Sequence, residues 1–163
     1  MTALIIKKYP APVLRKKAKK VETIGPEIQN LVWDMLETMI AKQGKGLAAP
    51  QIGVLKRVIA VHTERGPEVF INPRILKKSR KTEIIEEGCL SFPEFWLKIK
   101  RAKEVEIEAL NEEGEKQRIR AKGITARVFQ HEIDHLNGIL FIDRISFWQR
   151  LKIRKKINEL RKT

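Results

Sequence analysis

The run His131-Glu132-Ile133-Asp134-His135 brings two imidazoles and a carboxylate close together in the chain. On a helix, positions i and i+4 share a face one turn apart, so both rings can reach a single divalent ion. Glu132, beside the first ring, then stands where it can take a proton from a water activated by that ion. The chemistry this spacing implies is hydrolysis. The chain has three histidines, and two of them are in this run. The third, His62, closes an apolar stretch and reads as structural.

A catalytic ion of this kind usually takes three protein ligands and keeps one position open. One protease class would place a further histidine six positions after His135, but Phe141 stands there. Glu159 has a feasible spacing for a site of two histidines and one glutamate. It lies among Lys155, Lys156, Arg161 and Lys162, however, where pairing along its own helix is the ordinary role. Cys89 is the other candidate. It sits in Glu86-Glu87-Gly88-Cys89-Leu90-Ser91, just past an expected strand. A thiolate is a strong ligand for borderline divalent ions.

These groups need elements to hold them. No proline interrupts 123–138, which reads as the helix carrying both histidines, with Gly138 as its stop. Ile28, Leu31, Val32, Met35, Leu36, Met39 and Ile40 repeat at helical spacing, so 26–42 is a second helix, begun by Pro26 and followed by Gly44. Gly44 to Gly53 reads as a loop. Val58–Val61 and Val69–Ile71 look like buried strands. The segments 82–87, 96–100 and 104–110 alternate, and 116–121 returns after a hairpin loop at 111–114. Ser146 with Gln149 fits a capping box for a last helix, in which Ile153, Ile157 and Leu160 face the body. The fold class is α+β: antiparallel β-sheets around a central metal-binding helix, with an N-terminal and a C-terminal helix.

The 163 residues read as one catalytic domain, 1–163. With 42% hydrophobic and 33% charged residues, the chain is globular, and it has neither a membrane span nor the pattern of a signal peptide. A single cysteine excludes an internal disulfide and fits a reducing, cytoplasmic setting. The net charge is +14 and sits at the ends: residues 1–20 carry seven Lys/Arg and no acid, and residues 146–163 carry seven Lys/Arg and one acid. That distribution attracts polyanions, nucleic acid ahead of a membrane surface. The open functions at this point are a hydrolase with Cys89, a metalloprotease with Glu159, and a basic RNA-binding module whose histidines hold nothing.

Three separated motifs, in order, resemble those of the peptide deformylases: Gly44-Lys45-Gly46-Leu47-Ala48-Ala49-Pro50-Gln51, Glu87-Gly88-Cys89-Leu90-Ser91 and Gln130-His131-Glu132-Ile133-Asp134-His135. The resemblance implies hydrolysis of the N-formyl group from the initiator N-formylmethionine of newly made polypeptides, releasing formate. It implies one Fe²⁺ per chain, which Ni²⁺, Co²⁺ or Zn²⁺ can replace. Cys89, His131 and His135 would be the metal ligands and Glu132 the general acid–base. The Gln51 amide and the Leu90 backbone N–H would polarise the formyl oxygen. Gly44 and Gly46 would bind the substrate backbone, while Ile124 and Val128 would line the methionine site. Arg127 stands where some members carry an apolar residue, so either its stem packs while its head reaches water, or the pocket is narrower. Glu94-Phe95-Trp96-Leu97 also departs from the polar or basic residues common there, and its two aromatics either meet substrate or pack as a strand start. Glu87 and Arg101 would pair to brace the Cys89 strand. Since formylated chains emerge at the ribosome, the basic C-terminal helix is expected to aid ribosome docking.

Overall fold

The computed structural model describes residues 3–162; Met1, Thr2 and Thr163, at the tips of the two basic ends, lie outside it. The chain forms α1 (Pro26–Ala41), β1 (Gly46–Ala48), β2 (Val58–Thr63), β3 (Gly66–Lys78), β4 (Thr82–Cys89) and β5 (Phe92–Ala102). These are followed by β6 (Glu104–Leu110), β7 (Lys116–Lys122), α2 (Gly123–Leu136) and α3 (Phe147–Arg161). One sheet has the order β1-β2-β3-β6-β7 and the other is the hairpin β4-β5. Every ladder in both is antiparallel. The α+β class and the central helix are therefore as the sequence implies.

The apolar run in β2 is buried on both faces because helices cover both sides of the five-stranded sheet. Ile59 and Val61 pack with Phe70, Ile107, Phe129 and Ile133 on the α2 side. Val58 and Ala60 pack with Leu31, Met35 and Met39 on the α1 side. A third apolar cluster joins the β4-β5 hairpin to the chain ends: Phe92, Phe95 and Ile99 meet Tyr9, Leu14, Phe141 and Ile157. α2 thus lies between the two sheets, and nearly all of its residues from Ala126 to Leu136 are buried, polar ones included.

Several boundaries differ from the sequence reading. Asn72-Pro73 looks like the end of a strand, yet β3 runs through it. The register shifts there, and Asn72 adopts a left-handed φ of 51°, so a bulge absorbs the proline. The segment read as a loop contains β1, whose three residues are too few to show a period; it pairs Gly46 with Val61 on the edge of the sheet. A 3₁₀ turn, Ala49–Ile52, follows. β5 begins at Phe92, not Trp96, with Pro93 near its start. Past α1, Gln43 makes the left-handed turn expected of Gly44. Gly44 serves a different need: a Cβ on it would lie 2.9 Å from Leu90 Cδ1. α2 does stop as read, with Gly138 at φ 71° and packed so tightly on Arg15 that a Cβ would meet its carbonyl oxygen at 2.5 Å. Ser146 caps α3 through the box with Gln149, and Ile157 points inward with Ile153 and Leu160 packed beside the same cluster.

The N-terminal segment is a strap across the back of these elements. Lys7 N–H donates to Gln51 O at 2.6 Å, Tyr9 N–H to Ser91 O at 2.9 Å, and Ala18 N–H to Leu136 O at 2.9 Å. The Tyr9 hydroxyl accepts from Arg161 Nε at 2.8 Å, which ties the strap to the last turn of α3.

Candidate metal centre and its cleft

Cys89 closes β4, and His131 and His135 lie one turn apart on α2. One donor atom from each falls within 4.8 Å of the others. Cys89 Sγ is 3.4 Å from His135 Nε2, and the two rings are 5.0 Å apart at 64°. Glu87 accepts from His131 Nδ1 at 2.8 Å, leaving Nε2 to face the cluster. A carboxylate on the far nitrogen of a ligating histidine fixes its tautomer and orientation. Glu159 is elsewhere: it lies exposed on α3, beside Leu151 and Lys155 in a surface groove, so the protease reading with that ligand has no support in the geometry.

The electrostatics are dominated by a buried network. Glu87 also accepts from Arg101 Nε and Nη2 at 2.9 and 3.0 Å and from Arg127 Nη1 at 2.6 Å. Arg101 continues to Asp134 at 2.6 Å, and Arg144 reaches the same carboxylate at 2.6 and 3.0 Å. Burial opposes the charge on Glu87, but the hydrogen bonds from His131 and Arg101 outweigh it and hold its carboxyl well below the usual range. Burial pushes Glu132 the other way, up to about 7. Burial also disfavours a charge on both rings. On His131, hydrogen bonds with Cys89 and Glu87 overcome it and raise the pKa, while on His135 burial and the neighbouring His131 lower it.

The residues fit a divalent ion. One sulfur and two ring nitrogens are the donors such ions take. Binding such an ion requires neutral rings and a thiolate, so it would compete with protons at these three groups. Glu132 Oε2 is buried with no protein partner, as an acceptor waiting for a water or substrate proton would be.

Around the cluster opens a cleft of about 460 Å³. Gly44, Gly46, Ile124, Val128, Leu90 and Gln51 all line it. Gly46 must be glycine: a Cβ there would lie 2.5 Å from Glu132 Oε1 and 2.6 Å from Val128 Cγ1. Gln51 is fixed at its carbonyl end by Ala48 N–H at 2.9 Å. Its amide donates to Ser91 Oγ at 3.1 Å and points at Cys89 Sγ from 3.6 Å.

Arg127 does not send its head to water. It is buried, and beyond Glu87 it donates to the carbonyls of Ile99 and Glu83, both at 2.8 Å, while still forming part of the cleft wall. The two aromatics of Phe95-Trp96 part company: Phe95 is in the core and Trp96 is exposed. His62 is exposed near the end of β2 and joins no cluster. Sequence reasoning missed three supports. Ser91, in the two-residue turn between β4 and β5, accepts from the Gln51 amide. Gln130 clamps α2 to β5 through both backbone groups of Ala102. The Asp134–Arg144 pair carried no sequence signal, since its meaning depends on Arg101 lying between two carboxylates.

Comparison with known proteins bears on this site. The family described as polypeptide deformylase has a sequence model that matches residues 3–151. The chain is 45% identical to the peptide deformylase of Thermotoga maritima over 158 residues, covering 97% of this chain and 96% of that one. It is 51% identical to that of Halothermothrix orenii over 147 residues, covering 89% and 95%. The crystal structure of the T. maritima peptide deformylase superposes with a TM-score of 0.87 at 44% identity, covering 90% of this chain and 99% of that one. The Ehrlichia chaffeensis peptide deformylase in complex with actinonin superposes with a TM-score of 0.91 at 37% identity, covering all of both chains.

Glu87→Gln tests the network. It leaves Arg127 without a counter-charge, leaves Arg101 with Asp134 alone, and weakens the brace on His131. Affinity for a divalent metal should fall about 10- to 100-fold in competition with a chromophoric chelator. Unchanged affinity would show that Glu87 does not orient the ring.

Proposed function

The chain belongs to the polypeptide deformylase family and is a metal-dependent hydrolase of the N-formyl group on the initiator methionine of new polypeptides; from that premise we propose that Cys89, His131 and His135 hold its metal. The observation that carries the assignment is the convergence of one sulfur and two ring nitrogens within 4.8 Å beside the buried Glu132. The ion proposed is Fe²⁺, one per chain, with Ni²⁺, Co²⁺ or Zn²⁺ able to replace it. When bound, it would supply a Lewis acid that makes a water nucleophilic near neutral pH.

The remaining work falls to the chain. Glu132 accepts the proton of the attacking water through its unpartnered Oε2 and gives it to the leaving amine. As the formyl carbon becomes tetrahedral, charge gathers on its oxygen, and the Gln51 amide and Leu90 backbone N–H stabilise it. The anchored carbonyl end of Gln51 keeps its amide aimed at the cluster, so little reorganisation is needed at that moment. Gly44 and Gly46 let the substrate backbone approach. Ile124 and Val128 receive the methionine side chain. Residues 1–163 act as one catalytic domain in the cytoplasm. No described helix is long and apolar enough to cross a membrane.

α3 is the proposed ribosome-docking element. Its basic side chains face outward, and Phe147, Trp148 and Leu151 are exposed with them, a surface suited to phosphate backbone and unstacked bases. Reversing Lys152, Arg154 and Lys155 to Glu should weaken ribosome co-sedimentation and flatten its salt dependence. Binding that stays as strong and as salt-sensitive as before would exclude α3 as the contact.

The function itself is tested by anaerobic purification, metal quantification by mass spectrometry, and formate release from formyl-Met peptides in the same sample. One equivalent of metal, hydrolysis of the formyl group and loss of activity in air are expected; stoichiometric metal without formate release would overturn the assignment. The pH dependence tests Glu132. It works as a base only when ionised, so kcat/KM should fall as the solution is acidified. Burial, set against the neighbouring charges, raises Glu132 to about 7, and a bound cation would move it lower, so the acid midpoint should lie at or below that value. A midpoint clearly above 7 would assign the proton transfer to another group.

A further inference from the structure

The net charge sits at the ends of the sequence, and the stretch between them is nearly balanced. Folding unbalances it in space. Lys77-Lys78-Ser79-Arg80-Lys81 ends β3 and makes the turn into β4, with a cation at every position but one. Backbone hydrogen bonds fasten that turn to two others. Ser79 N–H donates to Glu104 O at 2.9 Å, Lys103 N–H to Lys81 O at 3.0 Å, and Gly123 N–H to Lys103 O at 2.9 Å. The turn between β5 and β6 and the junction of β7 with α2 therefore meet it at one corner. Lys77, Lys78, Arg80, Lys81, Lys103 and Arg120 are all exposed there, and none of them forms an ion pair with a described residue. The acids beside them, Glu104 and Glu106, are already paired with Lys122 at 3.7 Å and Arg118 at 3.3 Å. A groove of about 320 Å³ opens between Lys77 and Lys78 at the end of β3 and Arg120 and Lys122 on β7. α2 begins beside it with no acid in its first turn, so the positive end of the helix dipole adds to the field.

We propose that this corner is a second RNA-contact surface, separate from α3, which holds the phosphate backbone without reading sequence. Cations gathered closely and left without partners in the chain collect anions from solution, and a polyanion that neutralises them releases its own counter-ions, which drives the binding. Contacts of this kind go to phosphates and carry no sequence information. A lipid surface fits less well. Elements that lie on membranes pair their cations with apolar side chains that insert, and residues 77–81, 103 and 120–122 expose no large apolar side chain. α3, by contrast, exposes Phe147 and Trp148 beside its cations. The choice of RNA among polyanions rests on the reading of this chain as an enzyme of newly made polypeptides, which emerge at a surface of RNA.

The test measures binding of the full, metal-loaded chain to a fluorescein-labelled single-stranded RNA of mixed sequence, by anisotropy over a range of salt concentrations. Lys77→Gln, Lys78→Gln, Arg80→Gln and Lys81→Gln, made together, should weaken binding and lower the slope of log affinity against log salt by about 2 to 3, since each phosphate contact on a single strand accounts for ~0.7. Lys16→Gln, Lys17→Gln, Lys19→Gln and Lys20→Gln remove the same charge from the N-terminal segment and should lower the slope by at most about 1. Lys77→Arg, Lys78→Arg and Lys81→Arg keep the charge and should keep the binding. Adding Lys152→Gln, Arg154→Gln and Lys155→Gln on α3 to the corner set should give additive losses, as two separate contacts do. Formate release from formyl-Met peptides and the thermal midpoint should be unchanged by the corner set. A corner set that weakens RNA binding no more than the N-terminal set would overturn the proposal. So would RNA binding left intact while binding to phosphatidylserine vesicles is lost, which would assign the corner to a lipid surface. Neither result touches the deformylase reading, which only absence of formate from the unaltered chain would strike.

Discussion

The Glu87 carboxylate is the interaction on which the rest of the centre depends. A buried carboxylate is costly unless its charge is balanced and its lone pairs are filled. Glu87 meets that condition by taking hydrogen bonds from His131, Arg101 and Arg127 at once. Those partners come from α2 and β5, while Glu87 itself is on β4 beside Cys89. One ionised group therefore sets the distance between the hairpin that supplies the sulfur and the helix that supplies the nitrogens. Replacing such a network with apolar residues can leave stability unchanged or raise it. What Glu87 contributes is position: it holds one candidate ligand's ring by its far nitrogen, and the next residue but one is another candidate ligand.

The network extends outward in alternating sign. Arg101 bridges Glu87 and Asp134, and Arg144 closes on Asp134 from the segment after α2. Neutral clamps accompany it, with Gln130 on Ala102 and Gln51 between Ala48 and Ser91. The contrast with Glu132 is instructive. The two glutamates are similarly buried, yet one is pressed toward its anion by cationic neighbours, and the other is raised by burial toward neutral pH with an oxygen left free. The first is suited to holding a ligand and the second to carrying a proton.

Much of this was legible in the sequence because the relevant information is local. His131, Glu132 and His135 are read from helical spacing alone, and α1, β2 and the β6-β7 hairpin from periodicity. Cys89 needed more, since a lone cysteine reads as a small buried thiol, and the two-histidine motif that lacks a third ligand, then the order of three motifs, supplied the difference. What escaped depends on tertiary placement. Asn72-Pro73 is a strand breaker by composition, but a bulge accommodates it within β3. Arg127 reads as a surface cation because its partners, Glu87 and two carbonyls from β4 and β5, are remote in sequence. Phe95 and Trp96 are chemically alike and adjacent, and strand alternation sent one to the core and the other to solvent.

The N-terminal strap links places that are far apart along the chain. Lys7 and Tyr9 bond the backbones of Gln51 and Ser91, and the Tyr9 hydroxyl takes its hydrogen bond from Arg161. The two ends of the polypeptide therefore brace each other behind Gln51, whose amide points at Cys89 Sγ. Truncation of the final turn of α3 removes Arg161 and with it the hydrogen bond that anchors the strap behind Gln51 and Ser91. Immobilisation is better made through the exposed loop at 112–115, which joins β6 to β7.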